Sequence, residues 1–154
     1  MRRGKRSGGI VSRIKDGVIS GDGKIPIYPT HTCFEDVTDY LKWKLESCST
    51  IAEAFALPML IVHAIVHPEK VETAYSHAWV EEGDKVISFG LINGEKYGIE
   101  FEKIEFYDLY RPLDMTRYTV EEGYLMEKKT GTFPPWEEKY RRLCRDYRGE
   151  KDGK

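Results

Sequence analysis

Long apolar runs are missing from this sequence. No stretch approaches the roughly 18–20 consecutive apolar residues of a bilayer-crossing helix. The N-terminus, MRRGKRSGG, is basic but leads through Ile10 into VSRIKDG, not into an apolar leader core. A cytoplasmic protein with no membrane partner is the expectation. Cysteine is scarce. Cys33, Cys48 and Cys144 are an odd set without framework spacing, which excludes a disulfide scaffold and leaves each thiol as buried filler or as chemistry. An excess of one charge is also missing. At a formal net charge of -2 nothing attracts phosphates wholesale, so no specific nucleic-acid partner is expected. The chain contains no G-x-G-x-x-G, P-loop or G-x-S-x-G, which leaves nucleotide binding and serine-hydrolase chemistry without a carrier.

What is present reads as one domain. The length of 154 residues supports a single well-formed core, and 40% hydrophobic with 32% charged residues is a soluble balance. Residues 1–9 read as a disordered basic tail and 10–150 as an α+β domain. After short extended pieces, Thr32 caps a helix with Glu35 closing a capping box, and Phe34, Val37, Leu41 and Leu45 form its apolar stripe. Cys33 falls in the first turn. A short helix follows, capped by Ser49 or Thr50 with Glu53 and stopped by Pro58. MLIVHAIVH is a β-branched run of strand length ended by Pro68. SHAWVEE and KVISFG make a hairpin about Gly83 and Asp84. The stretch from Glu95 to Tyr110 is expected to continue the alternation, with Ile99, Phe101 and Ile104 on one side. Thr119 and Glu122 cap a helix ended by Gly131. A last helix, entered through proline, carries Trp136, Tyr140, Leu143 and Tyr147 as its stripe.

The chemistry centres on His77. On a strand, Ser76, Ala78 and Val80 face one way and His77, Trp79 and Glu81 the other. The first set suits a core, which leaves the imidazole and indole on a partly accessible face. Cys33 gives that imidazole a purpose, because a helix start favours a thiolate and a nearby histidine takes its proton. Cys33 is then expected to be the most reactive thiol, with Trp79 walling the cleft.

The pieces TCFEDVTDYL, MLIVHAIV and SHAWVEEGDKVIS, with YTVEEGYLMEKKTGTFPPW after them, resemble the transglutaminase-like and papain-like cysteine hydrolases, above all small bacterial and phage proteins with a cysteine helix and a HAWVE hairpin. The resemblance implies a papain-like or transglutaminase-like core: a cysteine helix packed on an antiparallel sheet, with C-terminal helices. It implies Cys33 as nucleophile and His77 as base on an amide or thioester bond of a peptide or protein substrate, with no cofactor and no metal. The family's aspartate after the hairpin reads Ser88 here. A serine can fix the histidine tautomer but cannot balance an imidazolium. Ser88 is expected across the hairpin from His77 or, two residues shifted, from Trp79; Asn93 is the alternative partner, and Cys48 the alternative thiol.

Two other readings stand beside this one. His31, Cys33, His63, His67 and His77 are metal-ligand types without close-pair spacing. His63 and His67 also read as residues of a half-polar sheet face. The same fold without chemistry would be a protein- or peptide-binding module. Glu81–Glu82 and Glu121–Glu122 read as solvated faces. Oligomeric state is not written in the chain.

Overall fold

The computed structural model describes residues 19–20, 28–29, 32–130 and 135–151, with side chains for 32–130 and 135–144. The basic tail, Gly131 and the side chain of Tyr147 lie outside the described residues. The elements in chain order are β1 (Ile19–Ser20), β2 (Tyr28–Pro29), α1 (Cys33–Glu46), α2 (Ile51–Phe55), β3 (Met59–Val66), β4 (Tyr75–Glu82), β5 (Lys85–Ile92), β6 (Glu95–Glu102), α3 (Lys103–Tyr110), β7 (Pro112–Thr119), α4 (Val120–Thr130) and α5 (Glu138–Lys151).

Five eight-residue strands form one antiparallel sheet in the order β6-β5-β4-β3-β7. β1 adds two parallel residues to β6, and β2 pairs two residues with β5. The meander follows from tight turns. Glu82 pairs with Lys85 around Gly83, whose φ is 64°, and Ile92 pairs with Glu95 around Asn93 and Gly94, at φ 54° and 82°. Asn-Gly with both residues at positive φ is the turn that matches strand twist best. Asn93 is thereby spent on a hairpin turn and is not a partner for His77.

Each face of the sheet has its own core. On one, α1, α4 and the chain around Trp136 cover Ile61, Ala78, Val80, Ile87 and Phe89. On the other, α3 lays Phe106 over Val62, Ala64, Trp79, Val86 and Phe101. This is α+β. The expected strand alternation from Glu95 to Tyr110 fails after Glu102: KIEFYDLY is helical, with Phe106 and Tyr110 stacked four residues apart at 4.3 Å. Ile104, expected inward, is 80% exposed. β7 is a further strand that the sequence reading did not contain.

The caps explain where helices begin. Thr50 accepts from the Glu53 N–H, while Glu53 reaches back to the N–H of Ser49. Thr119 and Glu122 close a reciprocal box at 2.9 and 3.1 Å. Thr32 does precede α1, but its hydroxyl bonds Asp36 and not a backbone N–H, so the expected box with Glu35 is absent. Thr119→Ala is expected to lower unfolding free energy by about 1 kcal/mol, measured by urea titration, because the Glu122 N–H loses its acceptor.

Candidate functional site

β4 and β5 pair only through Val80–Ile87, Glu81–Val86 and Glu82–Lys85. Beyond Val80 the ladder stops, and β5 instead takes β2 at Gly90 and Leu91. A seam is left in the sheet. α1 brings Cys33, its first residue, to this stretch of β4, near enough to the Ala78 N–H for that group to favour the thiolate.

His77 leaves β4 on the opposite face from Ala78. Its Nε2 meets Ser88 Oγ at 3.2 Å, and its ring stacks on Tyr110 at 5.0 Å and 3°. The register is the shifted one, because the turn at Gly83–Asp84 carries Ser88 toward the level of Trp79. The structure therefore brings His77 and Ser88 together across the seam. Cys33 lies at the same seam from the α1 side but makes no hydrogen bond to His77. Tyr110 lies close enough to feel a charge on the Cys33 sulfur.

The seam is sealed. Cys33, His77 and Ser88 are all buried. Burial pushes the Cys33 thiol up to about 12; the Ala78 N–H opposes this, and Cys144 and Asp36 add to it. Burial alone takes His77 down to about 4. Trp79 is fully buried beneath Phe106 and bonded through Nε1 to Glu81, so it walls no open cleft. The face expected to be partly accessible is closed by α3, the helix hidden in an apparent strand pattern. Cys48 is half-buried and stands apart from both histidines' cores.

Sequence reasoning missed two groups. Glu81, read as solvated, is a buried carboxylate that accepts from Trp79 Nε1 at 3.1 Å, Arg117 Nε at 3.0 Å and the Tyr107 hydroxyl. Lys103 stands 3.7 Å away. Its parity with His77 and Trp79 was the available signal. His63, read as half-polar, is fully buried on the α1 face among Phe34, Tyr118, Trp136 and Tyr140. His67 is outside the strand and bonds the Val71 carbonyl at 2.8 Å. Among the described residues no three His, Cys, Asp or Glu side chains converge on a metal position, and no helix is long and apolar enough to cross a membrane.

These features define an α+β domain with a thiol, an imidazole and a serine gathered at a gap in its sheet. No family model, curated protein or solved structure matches the chain.

Proposed function

We propose that this domain has the layout of a papain-like or transglutaminase-like hydrolase without its chemistry, and that it works by binding a peptide or protein. The observation that carries the reading is the sealed, neutral seam. Burial pushes the thiol up to about 12 and the imidazole down to about 4, so both rest neutral and proton transfer from one to the other runs uphill. The hydroxyl of Ser88 supplies no charge to narrow the gap. For the binding role, support comes from the exposed apolar residues Ile104 and Leu109 of α3 and Leu113 of β7, and from β7 carrying no further strand among the described residues.

A second reading, a cysteine hydrolase or acyltransferase acting on an amide or thioester, is favoured by one observation. The thiol lies near the N–H of Ala78, which favours its charged form, and Ala78 is the residue next to a histidine held by Ser88. It requires water to enter the seam before the thiolate forms.

Alkylation separates the two. With iodoacetamide at pH 7.5, Cys48 and Cys144 are expected to be modified first, and Cys33 only as fast as the chain opens. Preferential labelling of Cys33 that slows in His77→Ala would overturn the binding reading in favour of catalysis. The positive arm is capture of immobilised peptides from a random panel, lost in an Ile104→Ser, Leu113→Ser double variant whose melting is unchanged. Capture that persists in that variant places the binding elsewhere.

A further inference from the structure

Buried polar atoms without a partner are rare, because each forfeits its hydration for nothing. Among the described residues they are Nδ1 and Nε2 of His63 and Nε1 of Trp136, and all three lie in one cluster. The His63 and Trp136 ring centroids are 5.1 Å apart. Phe34 of α1 and Tyr118 of β7 make two further walls at 4.8 and 5.1 Å, and Tyr140 of α5 lies at 6.3 Å.

The walls differ in how firmly they are built in. Phe34 and Tyr118 belong to α1 and to a strand of the sheet. Trp136 and Tyr140 belong to the C-terminal segment 135–151, which packs chiefly on β4 and β3. That segment is tied down by Ser76 Oγ to the Tyr140 carbonyl at 2.7 Å and by Thr116 to the Tyr140 hydroxyl at 2.8 Å. Tyr118 also donates to Glu137 at 3.0 Å, and Lys139 pairs with Asp114 at 3.0 Å on the surface.

We propose that protonation of His63 releases segment 135–151 from the sheet while the five strands stay folded, making this segment an acid-triggered strap. An imidazolium has two N–H donors and needs an acceptor for each. The groups facing it offer little. From α1 there is the apolar Phe34 ring; from β7, Tyr118 and the neutral Thr116; from β4, its register partner Ala78, which has no polar side chain. From α4, Glu122 bears on Tyr118, and from the strap come Tyr140 and Glu137, whose carboxylate is taken by Tyr118. Lys139, over the Tyr140 ring at 5.1 Å, adds a repelling charge. Lifting the strap hydrates both imidazole nitrogens and the Trp136 N–H in one motion, without breaking the sheet, and local opening is the lower-cost route.

The sign follows from the low folded value. Burial holds His63 at about 3, so the closed strap is fully stable above the ordinary imidazole range and weakens as pH falls below it.

Hydrogen exchange read by mass spectrometry at pH 7 and pH 5, corrected for the intrinsic pH dependence of exchange, tests this. Peptides from 135–151 are expected to exchange about tenfold faster or more at pH 5, with β3 to β6 still protected. His63→Phe should abolish that response and His77→Phe should keep it. Strap peptides that gain no more exchange than those of β3 to β6 would overturn the proposal, as would a strap response in His63→Phe that still exceeds the sheet's own. If that variant does not fold, NMR titration of His63 in the unaltered chain decides: its ring must protonate together with strap release, and a ring silent through the transition refutes the idea.

Discussion

Replacing Glu81 by alanine is expected to cost the fold roughly 3–5 kcal/mol, the largest effect of any single change considered for this protein. The cost does not come chiefly from a lost ion pair. Arg117 is 40% exposed and Lys103 35%, so both can return to water when the carboxylate goes. Trp79 cannot. Its N–H is buried beneath Phe106 and has Glu81 as its acceptor, and Tyr107 loses the same partner. Burial pushes Glu81 up, but the hydrogen bonds from Tyr107, Trp79 and Arg117 outweigh it and hold the carboxyl below its ordinary value. Its contribution is therefore complete above the usual carboxylate range and is lost as pH falls through the lower folded value. Arg117→Ala should cost about 1 kcal/mol or less, because a half-solvated guanidinium is screened. Guanidinium unfolding of both variants is the measurement. Equal costs would mean that the ion pair, not the buried hydrogen bonds, holds β4 to α3 and β7.

The second large effect concerns His77. Between pH 6.5 and 4 the sheet is expected to lose roughly 3 kcal/mol of stability on this residue's account, since burial lowers it from 6.5 to about 4. A lowered imidazole stabilises the fold only while neutral, so its share is whole above pH 6.5 and declines toward the folded value. Unlike His63, this ring is enclosed by α3 and both neighbouring strands, with Tyr110, Phe106 and Trp79 around it. Its protonation is linked to unfolding of the sheet as a whole. Urea midpoints of the parent and His77→Phe across this range should converge at neutral pH apart from a constant offset. A parallel decline in both would show that His77 is not the group responsible.

The parts of this fold that were legible in sequence are those fixed by local chemistry. Gly83 at positive φ makes its turn whatever packs above it, and the Thr119–Glu122 and Thr50–Glu53 pairs mark helix starts that the backbone then follows. The stripe from Phe34 to Leu41 found the core. Where alternation and helical spacing coincide, the reading failed. In IEFEKIEFYDLY, Phe106 and Tyr110, four residues apart, suit either period, and only the sheet that α3 covers decides between them. That single error opened a face of the sheet that is closed, and so made Glu81 look solvated and Trp79 look available. Asn93 was legible as a turn from Asn-Gly, but its amide drew attention as a catalytic partner. For the site, the approach of Ser88 to His77 could be read from hairpin spacing. The placement of Cys33 against the N–H of Ala78 could not, because it depends on β2 displacing β4 from the edge of β5.

The position of β7 has a consequence for the order in which a ribosome delivers this chain. β3 to β6 are successive hairpin neighbours, so each finds its partner soon after emerging. β3 is the exception on its other side, since Leu60 waits for Thr119 and Ala64 for Met115. Until then an apolar strand emerges with one edge uncovered. Glu81 likewise precedes Arg117 by 36 residues and Tyr107 by 26, and has no cation to meet in the completed meander before Lys103. The last strand of the sheet to be synthesised is thus the one that closes its most apolar edge and delivers the arginine to its most deeply held charge.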